Sequence, residues 1–179
     1  MALSTDHALR TGPFEYRGAQ GSSLEAARER ALKRYQEHKG QRPERLVTGS
    51  DDFTMFLWEP SVSKKPLARL TGHQQLINHV AFSPDGRYFC SASFDKSVRL
   101  WDGFTGKCEF ASSGLLEAKL SFSFRFIATL FGHVGAVYQV SWSADSRLFV
   151  SGSKDSTVKV WNVVTKKLMV DLPGHADEV

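Results

Sequence analysis

The sequence predicts an all-β fold, an arc of about three four-stranded propeller blades carrying one helical insertion. An Asp stands six residues before a Trp three times, at Asp52 and Trp58, Asp95 and Trp101, and Asp155 and Trp161. A Gly-His pair precedes two of these tryptophans by 28 residues, at His73 and His133, and a third Gly-His opens at His175. The period is 43 residues from Trp58 to Trp101 and 42 from His133 to His175. That is the length of one four-stranded blade marked by Gly-His and by Trp-Asp or a variant of it.

The elements follow in order. Met1 to Asp6 aligns with Val80 to Asp85 and with Val140 to Asp145, so Met1 falls inside an inner strand. Asp85 to Asp95 and Asp145 to Asp155 are each ten residues, but Asp6 to Asp52 is 46, an insertion of 36. Ser22-Ser23-Leu24-Glu25 is a capping-box pattern and Gly40 a stop, which predicts a helix from Leu24 to Lys39. Leu24, Ala27, Ala31, Leu32 and Tyr35 share one face, and Glu29 stands four residues before Lys33.

Leu76 to Phe82, Arg87 to Ser93 and Ser97 to Trp101 read as the inner three strands of the second blade, turning at Ser83-Pro84-Asp85-Gly86 and at Asp95. Ala136 to Trp142, Arg147 to Ser153 and Thr157 to Trp161 repeat this register. Pro66 to Leu70 and Lys167 to Leu172 are outer strands. Trp142 reads as inner-strand core matching Phe82. The expected division is 1–70 for the first blade, with its helical insertion at about 13–44, then 71–130, 131–172, and a fourth unit opening at 173–179.

Trp101 to Trp161 spans 60 residues, 17 beyond the repeat, and predicts a second insertion at about 108–125. Its phenylalanines, Phe122 and Phe124, continue to Phe126 with Arg125 as gatekeeper, an aggregation-prone stretch. A splice- or intron-derived segment is the expectation for it rather than a binding loop. A closed propeller needs about 4–8 blades. The chain is therefore expected to be a fragment, an internal-start product or an incomplete gene model, and to fold poorly or self-associate alone.

These repeats resemble the WD-repeat β-propeller family. The resemblance implies a hydrogen-bonded network in each blade, joining the Gly-His histidine, a strand hydroxyl, the turn Asp and the Trp. On this chain it would comprise His73, Ser91 or Ser93, Asp95 and Trp101, then His133, Ser151 or Ser153, Asp155 and Trp161. The first blade would contribute Thr48 or Ser50, Asp52 and Trp58. Hydroxyls two residues apart share a strand face, so both stay open. The donor inventory suits a chain from Trp to hydroxyl to His to Asp. Ser, His and Asp together also suit a hydrolase triad. Their recurrence in successive blades, with no Gly-x-Ser-x-Gly elbow, favours structure over catalysis.

Net charge is +4, and residues 23–45 supply +3 of it, from seven Lys/Arg against four Glu. Arg28, Arg30, Lys33 and Arg34 form a basic surface suited to ribosomal RNA or an acidic protein, although mixed-sign helices are commonly just solvated. Cys90 and Cys108 give no disulfide framework or metal spacing, and Cys90 reads as a small buried hydrophobe. No cofactor motif, signal peptide or membrane-length apolar run is visible, so a reducing intracellular setting is expected.

Within the WD-repeat family, Gly132 to Arg147, Ser50 to Trp58, Asp171 to Val179 and Met1 to Gly12 look like a branch engaged in ribosome assembly. The likeness covers nearly the whole chain outside Cys108 to Arg125. It implies a non-enzymatic scaffold with no cofactor, part of an eight-bladed propeller behind a ubiquitin-like domain. Implied partners are pre-ribosomal large-subunit proteins and the AAA ATPase Midasin, in the nucleolus and nucleus, with a link to Notch signalling. The other readings are a generic WD-repeat adaptor, either a ubiquitin-ligase substrate receptor or a signalling scaffold, and more distantly a propeller hydrolase.

Overall fold

The computed structural model describes residues 1–11, 23–40, 43–103 and 126–177. The Phe-rich insertion expected at 108–125, with Cys108, lies outside the described residues. Three antiparallel four-stranded sheets follow one another along the chain. The first is β1 (Ala2–Leu3), β2 (Leu46–Gly49), β3 (Met55–Trp58) and β4 (Ala68–Leu70). The second is β5 (Ile77–Phe82), β6 (Tyr88–Ser93), β7 (Ser97–Asp102) and β8 (Phe126–Phe131). The third is β9 (Val137–Trp142), β10 (Leu148–Ser153), β11 (Thr157–Asn162) and β12 (Lys167–Pro173). Neighbours in sequence are neighbours in each sheet, and the inner strands β1, β5 and β9 lie side by side.

Register assigns each side chain to one of two sheet faces, here called front and back. The back of the first sheet (Val47, Met55, Leu57, Leu70) packs on the front of the second (Ile77, Val80, Phe82, Phe89, Trp101). The back of the second (Cys90, Ala92, Val98, Leu100, Leu130) packs on the front of the third (Val137, Val140, Phe149, Trp161). Aromatic rings therefore meet aliphatic and small side chains twice. Period-2 alternation makes this possible, because each strand feeds both interfaces. At about 25 cal/mol per Å² of apolar area buried, stacking between blades dominates stability, as in other repeat arrays.

Polar contacts fix the stacking register. Asn78 donates to the Val137 carbonyl at 2.8 Å and the Trp142 indole to the Ala81 carbonyl at 3.0 Å. Arg45 pairs with Glu59 at 2.8 Å and also donates to the Gly103 carbonyl, tying the first blade to the second. Trp142 takes the register of Phe82 and packs against the second core cluster as expected, but less deeply. It is half-buried and bridges two blades, whereas Phe82 is buried.

The insertion forms α2 (Leu24–Lys39), with Gly40 at φ 56° closing it. Its N-cap is Ser23, whose Oγ accepts from the Ala26 N–H at 3.3 Å. The capping-box spacing from Ser22 to Glu25 is therefore off by one residue, and Glu25 serves as a first-turn anion against the helix dipole. A short helix, α1 (Asp6–Thr11), was not expected. The second and third blades turn after β5 and β9 through left-handed residues, Gly86 at φ 67° and Ser146 at φ 59°. His7 stands where Gly86 would, and the first blade continues into helix instead.

The packed face of α2 also differs from expectation. Its half-buried residues are Ala26, Ala27, Arg30, Ala31, Arg34, Tyr35, His38 and Lys39, and none is fully buried. Leu24 is 88% exposed and Leu32 is exposed too, so they do not join Ala27, Ala31 and Tyr35. Arg30 and Arg34 lie on the covered side, while Arg28 and Lys33 point outward. Lys33 approaches Glu37 at 4.0 Å rather than Glu29. Long Arg stems can cover apolar surface while their heads stay polar-bound, which is why Arg replaces Leu on this face.

Candidate functional site

The histidines sit in the loops ahead of the inner strands, and β6 and β10 bring the hydroxyls beneath them. In the second blade His73 Nδ1 lies 2.7 Å from Asp95 Oδ2, and Nε2 lies 2.7 Å from Ser91 Oγ. The Trp101 indole donates to the same Ser91 Oγ at 3.0 Å. In the third blade His133 Nδ1 is 3.0 Å from Asp155 Oδ2, Nε2 is 2.7 Å from Ser151 Oγ, and Trp161 donates to Ser151 at 2.8 Å. The donor inventory fixes the direction. A carboxylate only accepts, so Nδ1 carries the proton. The Ser hydroxyl then donates to Nε2 and receives the indole N–H.

Of each serine pair, the first enters this chain of bonds. Ser93 instead donates to the Leu76 carbonyl at 2.8 Å and accepts from the Asp95 N–H at 3.1 Å. Ser153 accepts from the Asp155 N–H at 3.3 Å. The second serine of the pair therefore holds the turn that presents the Asp. In the first blade Trp58 donates to Thr48 at 3.0 Å, and Ser50 accepts from the Asp52 N–H at 3.3 Å.

Each turn Asp has a further partner that the sequence reading missed. Asp52, Asp95 and Asp155 accept from the hydroxyl two residues later, Thr54 at 2.7 Å, Ser97 at 2.6 Å and Thr157 at 2.6 Å. The signal was present as Asp-x-Ser/Thr in all three repeats. The intervening residue is left-handed each time, Phe53 at φ 67°, Lys96 at 69° and Ser156 at 62°. An ion pair with one buried partner was also missed. Lys159 is 5% exposed and bonds Asp171 at 2.5 Å, an opposite-charge pair directly across β11 and β12.

The electrostatics follow from this geometry. Burial pushes the Asp95 carboxyl up, but hydrogen bonds from His73, Ser97 and the Gln74 N–H outweigh it and hold the group well below the usual range. For Asp155, burial is likewise outweighed by Thr157, the Val134 N–H and His133. Burial lowers the His133 imidazole despite the Asp155 hydrogen bond. Burial alone pushes the Cys90 thiol well up, consistent with a packing residue. The two histidine side chains are each 1% exposed, so neither Ser presents a nucleophile to solvent. Among the described residues no group of His, Cys, Asp and Glu could hold a metal ion, and no helix is long and apolar enough to cross a membrane.

Two exposed features lie outside this network. One is the outward side of α2, with Arg28 and Lys33. The other is a shallow cleft between the second and third blades, of about 540 Å³, lined by Phe94, Lys96, Val134, Tyr138 and Lys154 among others.

The WD domain, G-beta repeat family model matches residues 64–102 and 124–162. The chain is 56% identical over 110 residues to Ribosome assembly protein 4 of Saccharomyces cerevisiae, covering 60% of this chain and 21% of that protein. It is 66% identical over 94 residues to the Notchless protein homolog of Arabidopsis thaliana, covering 52% of this chain and 20% of that protein. It is 37% identical over 125 residues to WD repeat-containing protein 1 of Bos taurus, covering 70% of this chain and 18% of that protein. The chain thus spans about a fifth of the length of the curated relatives it matches.

Proposed function

We propose that the chain, which is similar in sequence to WD-repeat relatives of the Notchless type, acts as a non-enzymatic WD-repeat scaffold in assembly of the large ribosomal subunit. One observation carries the reading. Identity to Ribosome assembly protein 4 and to the Notchless protein homolog is 56% and 66%, against 37% to a WD-repeat protein of another name. The Gly-His, Asp and Trp framework is common to WD repeats and raises identity to all of them alike. The excess therefore lies at positions that the framework does not dictate. Buried Ser-His-Asp sets whose atoms are all spent on indole, imidazole and turn contacts support a structural use.

In this reading the partners are proteins of large-subunit precursors and a Midasin-type AAA ATPase, in the nucleolus and nucleus, and the link to Notch signalling belongs to the same proposal. The basic helix would meet ribosomal RNA or an acidic protein through Arg28 and Lys33, with Arg30 and Arg34 holding its inner side. The test is capture of the tagged protein from cells followed by gradient sedimentation. Cosedimentation with large-subunit precursors is expected, weakened in a salt-dependent way by Arg28→Glu with Lys33→Glu. Absence from those particles, with recovery in a ubiquitin ligase or signalling complex, would support the generic adaptor instead.

A further inference from the structure

The antiparallel meander puts the turns of each sheet at two opposite ends. At one end lie the turns that follow the first and third strands. Backbone bonds join them, from the Gly103 N–H to the Arg87 carbonyl at 2.8 Å in the second sheet and from the Val163 N–H to the Arg147 carbonyl at 2.9 Å in the third. The Asp85 N–H donates to Ser146 Oγ at 3.1 Å, so this end runs on from the second sheet to the third. Helix α2 reaches it too, since His38 and Lys39 line a pocket with Asp85, Gly86 and Gly103. At the other end lie the turns after each second strand, with Asp52, Asp95 and Asp155.

Charge divides between the two ends. Among the described residues, the first end carries Lys64, Lys65, Arg87, Arg147, Lys166 and Lys167, all exposed. Its acids are Asp85, Asp102 and Asp145, with Glu59 bound to Arg45. Asp85 and Asp145 each turn one oxygen inward, accepting from the Ser83 and Ser143 hydroxyls and from the Arg87 and Arg147 N–H groups. The opposite end carries Asp51, Asp52, Asp95 and Asp155 against Lys96 and Lys154. The excess cations are two adjacent pairs, Lys64 and Lys65 between β3 and β4, and Lys166 and Lys167 where β11 turns into β12. They stand on turns at the strand ends, not on a sheet face. Local bonds shape both turns, from the Lys65 N–H to Ser63 Oγ at 3.0 Å and from the Lys166 N–H to the Asn162 carbonyl at 2.8 Å.

We propose that this end of the stack is a polyanion-binding face and that its occupant is RNA. The proposal rests on the ribosome-assembly reading and adds a second contact to that of α2. Ammonium groups meet phosphates as point charges and read no base, and lysine pairs on separate blades suit a backbone that repeats a phosphate. The apolar residues at these turns, Val62 and Val164, stand singly. No apolar anchor of the kind a protein interface centres on therefore accompanies the charge.

Fluorescence anisotropy of a labelled single-stranded RNA of about 20 nucleotides, titrated with the chain across a salt series, tests this. Each lysine–phosphate contact contributes about 0.7 to the slope of log affinity on log salt. Lys64→Glu with Lys65→Glu, and Lys166→Glu with Lys167→Glu, should each lower that slope by about 1.4 and weaken binding about tenfold at about 0.1 M salt. Lys96→Glu with Lys154→Glu, at the opposite end, should change neither. Circular dichroism checks that each variant keeps its strands. A slope unchanged in both pair variants overturns the proposal. So does labelled polyglutamate bound as tightly as the RNA, since the occupant would then be an acidic protein. Cosedimentation with large-subunit precursors is scored separately. A chain absent from the precursors whose RNA binding still depends on these lysines contradicts the assembly reading alone, whereas a chain that cosediments while its RNA binding ignores them contradicts this face alone.

Discussion

At the scale of single residues, one hydroxyl in each of the second and third blades joins two partners. Ser91 and Ser151 each hold an indole N–H and an imidazole nitrogen while fully buried. Removing the group that terminates the chain of bonds leaves a buried donor unpaired, at a cost of about 1–3 kcal/mol. Asp155→Ala should therefore lower unfolding free energy by about that amount in denaturant melts, because it strips His133 Nδ1, the Val134 N–H and the Thr157 N–H together. Unchanged stability would remove the network from the account. Proton linkage gives a second outcome. His133 sits below its ordinary 6.5, and Asp95 and Asp155 sit below their ordinary 3.8, in the folded state. On acidification the unfolded chain takes up protons first in each case. Stability is thus full above the ordinary values, and is lost as pH falls through 6.5 for His133 and again through 3.8 for the two carboxylates. Melts at successive pH values should show both declines, and a chain gaining stability on acidification would contradict them.

At the scale of elements, the turns after β2, β6 and β10 are set by side chains more than by backbone preference. Asp95 Oδ1 accepts from the Ser97 N–H at 3.0 Å, and Lys96 between them is left-handed at φ 69°. A non-glycine residue there carries strain of about 1–2 kcal/mol. Lys96→Gly should then be neutral to stabilising by up to about 1 kcal/mol in the same melts. Marked loss would mean that the lysine side chain itself holds the turn. The strands were legible because the Asp and Trp marks fix their ends and alternation fixes their faces. Helix α2 was legible in extent, from its run of helix formers and Gly40, but not in orientation. Its apolar residues are too few to choose a face, and Arg30 and Arg34 prevail over Leu24 and Leu32. Helix α1 was not legible, since the repeat places a turn at Asp6 and His7 and nothing in its pattern marks a helix there. Choosing Ser91 over Ser93 needed coordinates, because both lie on one face and both are buried polar groups.

At the scale of the whole molecule, stability lies between blades rather than within them. Both hydrophobic clusters straddle two sheets, and the outer strand β12, which has no neighbour beyond it, is exposed along its length. Function, in the proposed reading, is then carried by the outer surfaces of a rigid stack, and the buried polar groups serve alignment. The four indole N–H groups report this directly, since each has a distinct place. Trp101 and Trp161 are 3% and 2% exposed and donate to buried serines, while Trp58 donates to Thr48 and Trp142 bridges to Ala81, both half-buried. Hydrogen exchange of the indole protons, followed by NMR on the nitrogen-labelled chain, is the measurement that tests the account most directly. Trp101 and Trp161 should exchange slowest, at rates close to those of the most protected backbone amides of β6 and β10, with Trp58 and Trp142 faster. Exchange of Trp101 and Trp161 as fast as that of Trp58 would contradict the network and the stacking together.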